Sequence, residues 1–275
     1  MGNDERLTSS ISSKLETRNV RKEFGSGSQR VLAIEDISFR VGENEFCVIV
    51  GPSGCGKSTL LYLAAGFEKP TSGEILLDGK RIEGPGPDRG FVFQEFALYP
   101  WKTVLDNVAF GLEIQGVERK EARKRAERHI DVIGLKGFEN SYPHTLSGGM
   151  KQRVGIARAL AYEPEILLMD EPFGSLDAQT KKLMQRELLR VWEHHKKTVL
   201  YVTHSVVEAT YLADRVVVLT ARPSKVKGIV DIDIPRPRSY TDEDYLHVRE
   251  EILGLLDEEV NKAFDKEKPA LSAMD

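Results

Sequence analysis

The sequence predicts an α/β fold built on a mainly parallel β-sheet, and two patterns lead to this prediction. Short apolar, β-branched runs alternate with amphipathic segments of helical length along most of the 275 residues, as in strands joined by crossover helices. The apolar run at residues 46–50 is followed directly by a glycine-rich turn and a helical segment, an order typical of phosphate-binding loops. The length suits one large domain or a domain with a subdomain.

The N-terminal part of the chain predicts a small antiparallel β subdomain. Strand-like patterns at residues 15–24, 31–34 and 37–41 are separated by turn signals. Phe24 ends the first of these strands, where its ring either stacks on a flat base or packs within the small sheet, and spacing alone favours neither alternative. Residues 1–13 are polar and lack periodicity, so we expect a disordered tail.

The glycine-rich turn carries the most specific signal before any family is considered. Its spacing is G-x-x-x-x-G-K-S, in which glycines turn backbone N–H groups toward an anion and the following helix adds its dipole. Lys57 can stabilise charge on the outer phosphates, and the Ser58 hydroxyl can ligate Mg²⁺. We therefore expect a nucleoside triphosphate to bind at Gly51, Pro52, Ser53, Gly54, Cys55, Gly56, Lys57, Ser58 and Thr59.

Polar residues close three further strand patterns, at Gln94, at the pair Asp170 and Glu171, and at His204. Ligands of open parallel sheets bind outside the carboxyl ends of the strands, so we expect these residues to converge on the triphosphate. Asp170 is expected to ligate Mg²⁺ together with Ser58, and Glu171 to polarise an attacking water. Gln94 is placed to reach both metal and water. His204 would donate to the γ-phosphate or hold Glu171 in place.

A second helix start that suits an anion lies at Ser147, Gly148 and Gly149. Ser147 can cap the following helix, and the two glycines leave its N–H groups open to close approach. The plain alternative is a helix cap without a ligand. Because this helix start has no lysine of its own, we expect it to complete a phosphate site formed elsewhere.

The sequence pattern also predicts how the chain divides into domains. Residues 14–238 form the α/β domain, and a helical insertion spans about residues 96–160. A linker rich in proline and arginine at residues 235–238 ends this domain. Residues 239–275 form a C-terminal helical extension, with an acidic amphipathic helix at residues 242–264.

Taken in order, these stretches resemble the motifs of the ATP-binding cassette (ABC) ATPases. The matches are Walker A at residues 51–59, the Q-loop at Gln94, the signature at residues 146–153, Walker B with its glutamate at residues 166–171, the D-loop at residues 175–177 and the H-loop at His204. Ser175 stands where alanine is more usual. The resemblance implies a P-loop NTPase (RecA-like) core that hydrolyses ATP with Mg²⁺. It also implies adenine stacking by Phe24, where many relatives use tyrosine.

The resemblance further implies partners. In this family two copies form a head-to-tail homodimer, in which Ser147 and Gly149 of one copy clamp the γ-phosphate bound by the other. Residues 99–112, 221–223 and 235–238 are similar to importer cassettes of the nitrate, sulfonate and taurine group. This similarity implies uptake of a small anionic solute with a membrane permease and a solute-binding protein, at the cytoplasmic face of the cell membrane. Cassette motifs do not identify the solute, and another one, such as a pyrimidine precursor, remains an alternative.

The surface for the permease is expected beside the Q-loop. An apolar and aromatic patch there contains Phe96, Leu98, Tyr99 and Trp101, and an exposed patch of this kind marks an interaction site. The alternative is burial of the same residues within the helical insertion.

Other functional classes remain as alternatives, and the sequence argues against each of them. A formal net charge of −4 argues against nucleic-acid binding, which favours a basic surface. No apolar run approaches the roughly 20 residues of a spanning helix, and no secretion signal is recognisable. A soluble ABC-type ATPase of DNA repair or translation would usually carry long coiled coils or two cassettes. A small-molecule P-loop kinase would have no use for residues 147–149.

The cysteine content is low. Cys47 and Cys55 suggest neither a disulfide framework nor a metal site, so we expect two reduced thiols. Because Cys55 lies at a helix start, we also expect it to have some thiolate character.

Overall fold

The structure, a computed structural model, describes residues 13–25 and 30–271; apart from Ser13, the predicted N-terminal tail lies outside these ranges. The strands are β1 (Ser13–Phe24), β2 (Val31–Gly42), β3 (Phe46–Val50), β4 (Ser72–Leu77), β5 (Lys80–Arg81), β6 (Arg89–Val92), β7 (Ile166–Asp170), β8 (Thr198–Val202), β9 (Arg215–Leu219) and β10 (Ser224–Asp231). The helices are α1 (Lys57–Ala65), α2 (Val104–Ile114), α3 (Arg119–Val132), α4 (Gly148–Ala161), α5 (Ala178–His195), α6 (Val206–Leu212) and α7 (Glu243–Leu271).

All strands of the described part join one ten-stranded sheet, in the order β5-β4-β1-β2-β10-β9-β3-β8-β7-β6. Strands β9, β3, β8, β7 and β6 are mutually parallel, whereas β2, β1, β4 and β5 pair antiparallel. Strand β10 joins the two parts, since it runs antiparallel to β9 and parallel to β2. The predicted fold, a parallel core with an antiparallel β subdomain, is therefore confirmed. The antiparallel part continues the parallel sheet rather than forming a separate layer.

The central strand β3 shows how the sheet separates two apolar cores. Cys47 and Ile49 lie in one core, with α1 and the antiparallel strands. Phe46, Val48 and Val50 lie in the other core, with the remaining helices. Successive strand side chains point to opposite faces, so a strand buried on both sides must be apolar throughout. This is why residues 46–50 contain no polar side chain.

The first part of the predicted helical insertion forms two helices, α2 and α3. Val104, Val108 and Leu112 are buried along α2, as their four-residue spacing predicts. The chain turns at Gly116, whose φ of +83° suits glycine. Helices α2, α3 and α4 pack against one another, so the predicted helical character of this part of the chain is found in the structure.

The C-terminal segment is fixed to the sheet by polar contacts. In α7, the Tyr245 hydroxyl donates to the carbonyl of Val207 at 3.1 Å, and Glu259 accepts from the N–H of Ala221 at 3.0 Å. Arg238 of the linker is only 5% exposed. Its guanidinium donates to backbone carbonyls around the end of α6, including Thr210, Ala213, Ile232 and Ile234. A cation at a helix C-terminus is stabilised by the helix dipole, so this linker is a docked segment.

None of the helices in the described residues combines the length and the apolar composition that crossing a bilayer requires.

Candidate functional site

The loop between β3 and α1 has the backbone conformation that its glycines predict. Gly54 and Gly56 have φ angles of +71° and +107°, which residues with a Cβ atom rarely adopt. The Lys57 ammonium folds back across this loop and donates to the carbonyls of Gly51 and Pro52, both at 2.9 Å. Lys57 is 6% exposed and forms no ion pair with another described residue. A buried ammonium without a carboxylate partner favours binding of an anion.

The next residue links this loop to the end of β7. The Ser58 hydroxyl donates to Asp170 Oδ1 at 2.9 Å. Burial raises the pKa of the Asp170 carboxyl, and the Ser58 hydrogen bond opposes that shift. Tyr62 lies near Asp170, and burial together with the charge of Asp170 raises the pKa of the Tyr62 hydroxyl. Sequence reasoning missed Tyr62, although its position four residues after Ser58 puts both side chains on the same face of α1.

Glu171 directly follows Asp170, the last residue of β7. Its φ of +41° lies in the left-handed region, where a residue with a side chain is strained. Glu171 Oε2 lies 2.9 Å from His204 Nδ1. His204, which follows β8, is therefore placed to orient the Glu171 carboxylate.

Gln94 follows β6 and lies on the same side of the site as Glu171. A Cβ atom at Gly174 would lie 3.4 Å from Gln94 Nε2 and 3.6 Å from Glu171 Oε2, so both side chains border the space at this glycine. Gln94, Ser58 and Asp170 all lie in the described part of the chain, and no hydrogen bond joins Gln94 to either of the other two. The expected contact of Gln94 with metal and water remains a prediction.

Glu208 of α6 supports the strand that leads to His204. This buried carboxylate accepts from Tyr201 at 3.1 Å and from Thr203 at 2.7 Å, and it pairs with Lys181 at 3.2 Å. These bonds fix the end of β8 against α5 and α6. The sequence contained no pattern that distinguishes Glu208 from an exposed helical glutamate.

The helix start at residues 147–149 packs on other loops of the same chain. Ser147 caps α4 by accepting from the N–H of Met150 at 3.3 Å. A Cβ atom at Gly148 would lie 3.3 Å from Leu176 and 3.8 Å from the Phe96 ring. Within the described ranges, no hydrogen bond or ion pair joins residues 147–149 to residues 51–59. Ser147 is exposed at this helix start, whereas Gly149 is buried against Thr180 and Met184.

Phe24 occupies the end of β1 and is 39% exposed. The Lys22 ammonium lies 4.8 Å from the centre of its ring. The ring is thus partly open, and its stacking on a base remains a prediction.

The expected reactivity of Cys55 is wrong. Burial raises the pKa of the Cys55 thiol, and the nearby Lys57 ammonium only partly opposes this shift. The residue is 1% exposed, so desolvation of a thiolate outweighs the favourable helix start. Cys55 fills space in the loop as a neutral side chain.

The apolar patch after Gln94 is held in a defined conformation. Asn107 is fully buried; its side chain accepts from the N–H of Tyr99 at 2.9 Å and donates to the carbonyl of Lys102 at 3.0 Å. Tyr99 packs on the Phe110 ring with centroids 4.7 Å apart. Trp101 is 71% exposed. The alternative of complete burial therefore fails for Trp101.

The site has the donors for nucleotide chemistry with a hard metal ion. The described residues contain no group of three or more acidic, histidine or cysteine side chains able to hold a metal alone. Mg²⁺ usually takes one or two protein ligands, with phosphate and water oxygens completing its shell. The Ser58 hydroxyl and the Asp170 carboxylate, joined at 2.9 Å, fit that donor set.

Comparisons with known proteins agree with this geometry. The family model described as ABC transporter matches residues 34–174. An uncharacterized ABC transporter ATP-binding protein of Methanocaldococcus jannaschii is 55% identical over 91% of this chain and 94% of its own. An aliphatic sulfonates import ATP-binding protein of Bacillus licheniformis is 45% identical over 87% of this chain and 92% of its own. A nitrate import ATP-binding protein of Synechocystis sp. is 48% identical, with coverage of 80% and 83%.

A solved structure shows the same likeness. It is the dimeric, post-hydrolysis state of an ATP-binding cassette bound to ADP and Pi, with a TM-score of 0.69 and 34% identity. The match covers 80% of this chain and all of that cassette. The family match over residues 34–174 and the relatives that cover most of the sequence show that the chain belongs to the ABC transporter family, as an ATPase.

Proposed function

We propose that this chain hydrolyses ATP at a site completed by a second copy and thereby drives uptake of a small anion through a membrane permease. The observation that carries the proposal is the meeting of four strand ends at one edge of the sheet: the Lys57 loop, Asp170 with Glu171, His204 and Gln94. Phosphoryl transfer needs positioning and charge stabilisation more than covalent chemistry. These residues supply both.

Binding of ATP begins at the phosphate loop. The N–H groups of the loop and of the start of α1 face the phosphates, and the Lys57 ammonium exchanges its carbonyl acceptors for phosphate oxygens. Phe24 stacks on the adenine. Ser58 and Asp170 would hold Mg²⁺, which would supply charge neutralisation on the phosphates.

Hydrolysis requires a water aligned with the γ-phosphate. Glu171 accepts a hydrogen bond from that water, and His204 keeps the Glu171 carboxylate in position through their 2.9 Å contact. The strained backbone of Glu171 fixes its side chain where a relaxed strand residue would point elsewhere. Gln94 lies beside the same space and closes it from the β6 side.

The site is completed by a second copy. Residues 147–149 form no hydrogen bond with the phosphate loop of their own chain in the described part, yet they present a capped helix start that suits an anion. A related cassette is dimeric with ADP and Pi bound. We therefore place Ser147, Gly148 and Gly149 of each copy against the γ-phosphate held by the other, in a symmetric homodimer.

The partner in the membrane binds at the aromatic patch after Gln94, of which Trp101 is 71% exposed and the other members are half-buried. Phe96, Leu98, Tyr99 and Trp101 follow Gln94 directly, so a partner there is linked to the catalytic space by a few residues. Arg158 of α4 donates to the carbonyls of Phe96 and Ala97, which ties the patch to the helix that starts at Ser147. The chain then acts at the cytoplasmic face of the membrane, with a solute-binding protein and with residues 14–238 as the ATPase domain.

The solute is proposed to be a small anion of the sulfonate or nitrate type. Two relatives that match most of this chain are named for import of aliphatic sulfonates and of nitrate. The ATPase domain does not contact the solute, so only the whole transporter can be used to test this part.

Glu171→Gln removes the group that polarises the water and keeps its size. We expect ATP hydrolysis to fall by roughly 10²–10⁴-fold, the usual contribution of a general base. ATP binding, measured by equilibrium titration with a fluorescent analogue, stays within about twofold, since the phosphate contacts remain. Glu127→Gln, an exposed change on α3, is the matched control. Near-normal turnover of Glu171→Gln contradicts the assigned role.

Trp101→Glu places a charge on the exposed patch without touching the catalytic residues. We expect loss of transport and of co-purification with the permease, because burying an unpaired carboxylate in an interface is costly, while basal ATP hydrolysis persists. Val260→Glu, at an exposed apolar residue of α7, serves as control. Unchanged transport by Trp101→Glu places the permease elsewhere.

Deletion of the gene for this chain tests the solute. We expect the strain to lose growth on an aliphatic sulfonate as sole sulfur source or on nitrate as sole nitrogen source, and to grow normally on sulfate and ammonium. A Lys57→Ala copy does not restore growth, because phosphate binding is lost, whereas the original gene does. Normal growth on all four sources rules out this solute class.

A further inference from the structure

A second cleft, far along α5 from the D-loop, has the lining of a binding site. This basic cleft has a volume of about 550 Å³ and lies between α5, the end of α6 and the linker at residues 236–240. Its lining includes four arginines, Arg186, Arg190, Arg236 and Arg238, and two tyrosines, Tyr211 and Tyr240. Clefts of this size are typical of small-molecule sites.

Positive charge in the basic cleft exceeds what its neighbours neutralise. Arg190 pairs with Glu187 at 2.9 Å, and Arg236 pairs with Asp214. Arg186 forms no ion pair or hydrogen bond with any residue that the structure describes. Glu193 is the one acidic residue of the lining. Since the whole chain has a formal net charge of −4, this local excess is not a consequence of a generally basic surface.

Arg238 adds a charge that is fixed in the wall. Its guanidinium donates to backbone carbonyls and to no carboxylate. Burial and the neighbouring Arg236 lower the pKa of Arg238 to about 10, so it stays protonated at neutral pH. A buried cation paired only with neutral groups leaves a positive potential in the cleft.

The tyrosines give the basic cleft an aromatic side. The rings of Tyr211 and Tyr240 are stacked, with centroids 4.8 Å apart and planes 11° apart. Burial raises the pKa of Tyr240 to about 12, so the phenol adds no negative charge. The ammonium of Lys182 lies 5.2 Å from the centre of the Tyr240 ring, which adds a further cation beside the rings.

We propose that the basic cleft binds a small organic anion with a phosphate or sulfonate group beside an apolar part. Guanidinium groups recognise tetrahedral oxyanions through paired, charge-assisted hydrogen bonds, and the tyrosine stack accepts the apolar part. The ligand would contact Arg186 on α5 and the linker that Arg238 fixes to α6. Helix α5 begins after Asp177 of the D-loop, and α6 begins two residues after His204, so a bound anion joins the two helices that lead from the catalytic edge.

The test uses the tryptophan beside the basic cleft as a reporter. The chain has two tryptophans, and the Trp192 ring lies 4.7 Å from the Arg236 guanidinium. The Trp101→Phe substitution in the full-length protein leaves Trp192 as the reporter, and saturating MgADP fills the phosphate loop. Phenyl phosphate, inorganic phosphate and methanesulfonate are then titrated at constant ionic strength. We expect a saturable change in Trp192 fluorescence, tightest for phenyl phosphate because it uses both parts of the cleft.

Two variants test whether phenyl phosphate binds in the basic cleft. Arg186→Glu in the same background should weaken phenyl phosphate binding by about tenfold or more, as expected for loss of a charge-assisted pair. Lys124→Glu, the same change of charge at an exposed residue of α3 that forms no ion pair with a described residue, should leave it within twofold. Absence of saturable binding, equal binding by Arg186→Glu, or binding of an acidic peptide without the small anions overturns the proposal. ATP hydrolysis by Arg186→Glu without anion confirms that the variant folds.

Discussion

Parallel pairing of four neighbouring strands is the constraint on which the site depends. Strands β3, β8, β7 and β6 lie side by side, and the register aligns Ile49 with Val202 and Tyr201 with Met169. Neighbouring strands lie about 4.8 Å apart, so the residues that follow these strands meet at one edge although they are far apart in the chain. The apolar cores on both faces of the sheet cover these strands.

Charge at that edge is arranged before any substrate arrives. Lys57 and Asp170 are almost fully buried, and each is held by hydrogen bonds of 2.9 Å, Lys57 to the loop and Asp170 to Ser58. Groups fixed in this way need little reorganisation during the reaction, which is the main source of electrostatic catalysis. Glu171 has a left-handed backbone with a φ of +41°, and its carboxylate lies 2.9 Å from His204 Nδ1. Membership of the ABC family and the geometry of these residues thus both indicate ATP hydrolysis at this edge.

Motif spacing and strand patterns predicted the fold and the meeting of the strand ends, because both follow from local sequence and from the edge rule for parallel sheets. Contacts between distant polar side chains were not predictable. Glu208 supports β8 and Arg238 fixes the linker, but no sequence pattern connects either residue with the groups that it contacts. Tyr62 could be recognised as a neighbour of the site only once Ser58 had been placed on the same helix. Cys55 was misjudged because its burial depends on the packing of the whole loop, which outweighs its favourable position at a helix start. The boundaries of the proposed domains and the partners remain predictions.

Mixing two inactive variants tests most directly whether one chain completes the nucleotide site of another. Lys57→Ala lacks the phosphate-binding ammonium, and Ser147→Arg blocks the helix start that faces the other copy, so each homodimer is inactive. A mixed dimer regains one intact site, formed by Lys57 of one chain and Ser147 of the other. With equal amounts and free exchange, random pairing in a symmetric dimer predicts recovery of about a quarter of the normal ATP hydrolysis. A mixture no more active than either variant alone would show that each chain builds its site by itself.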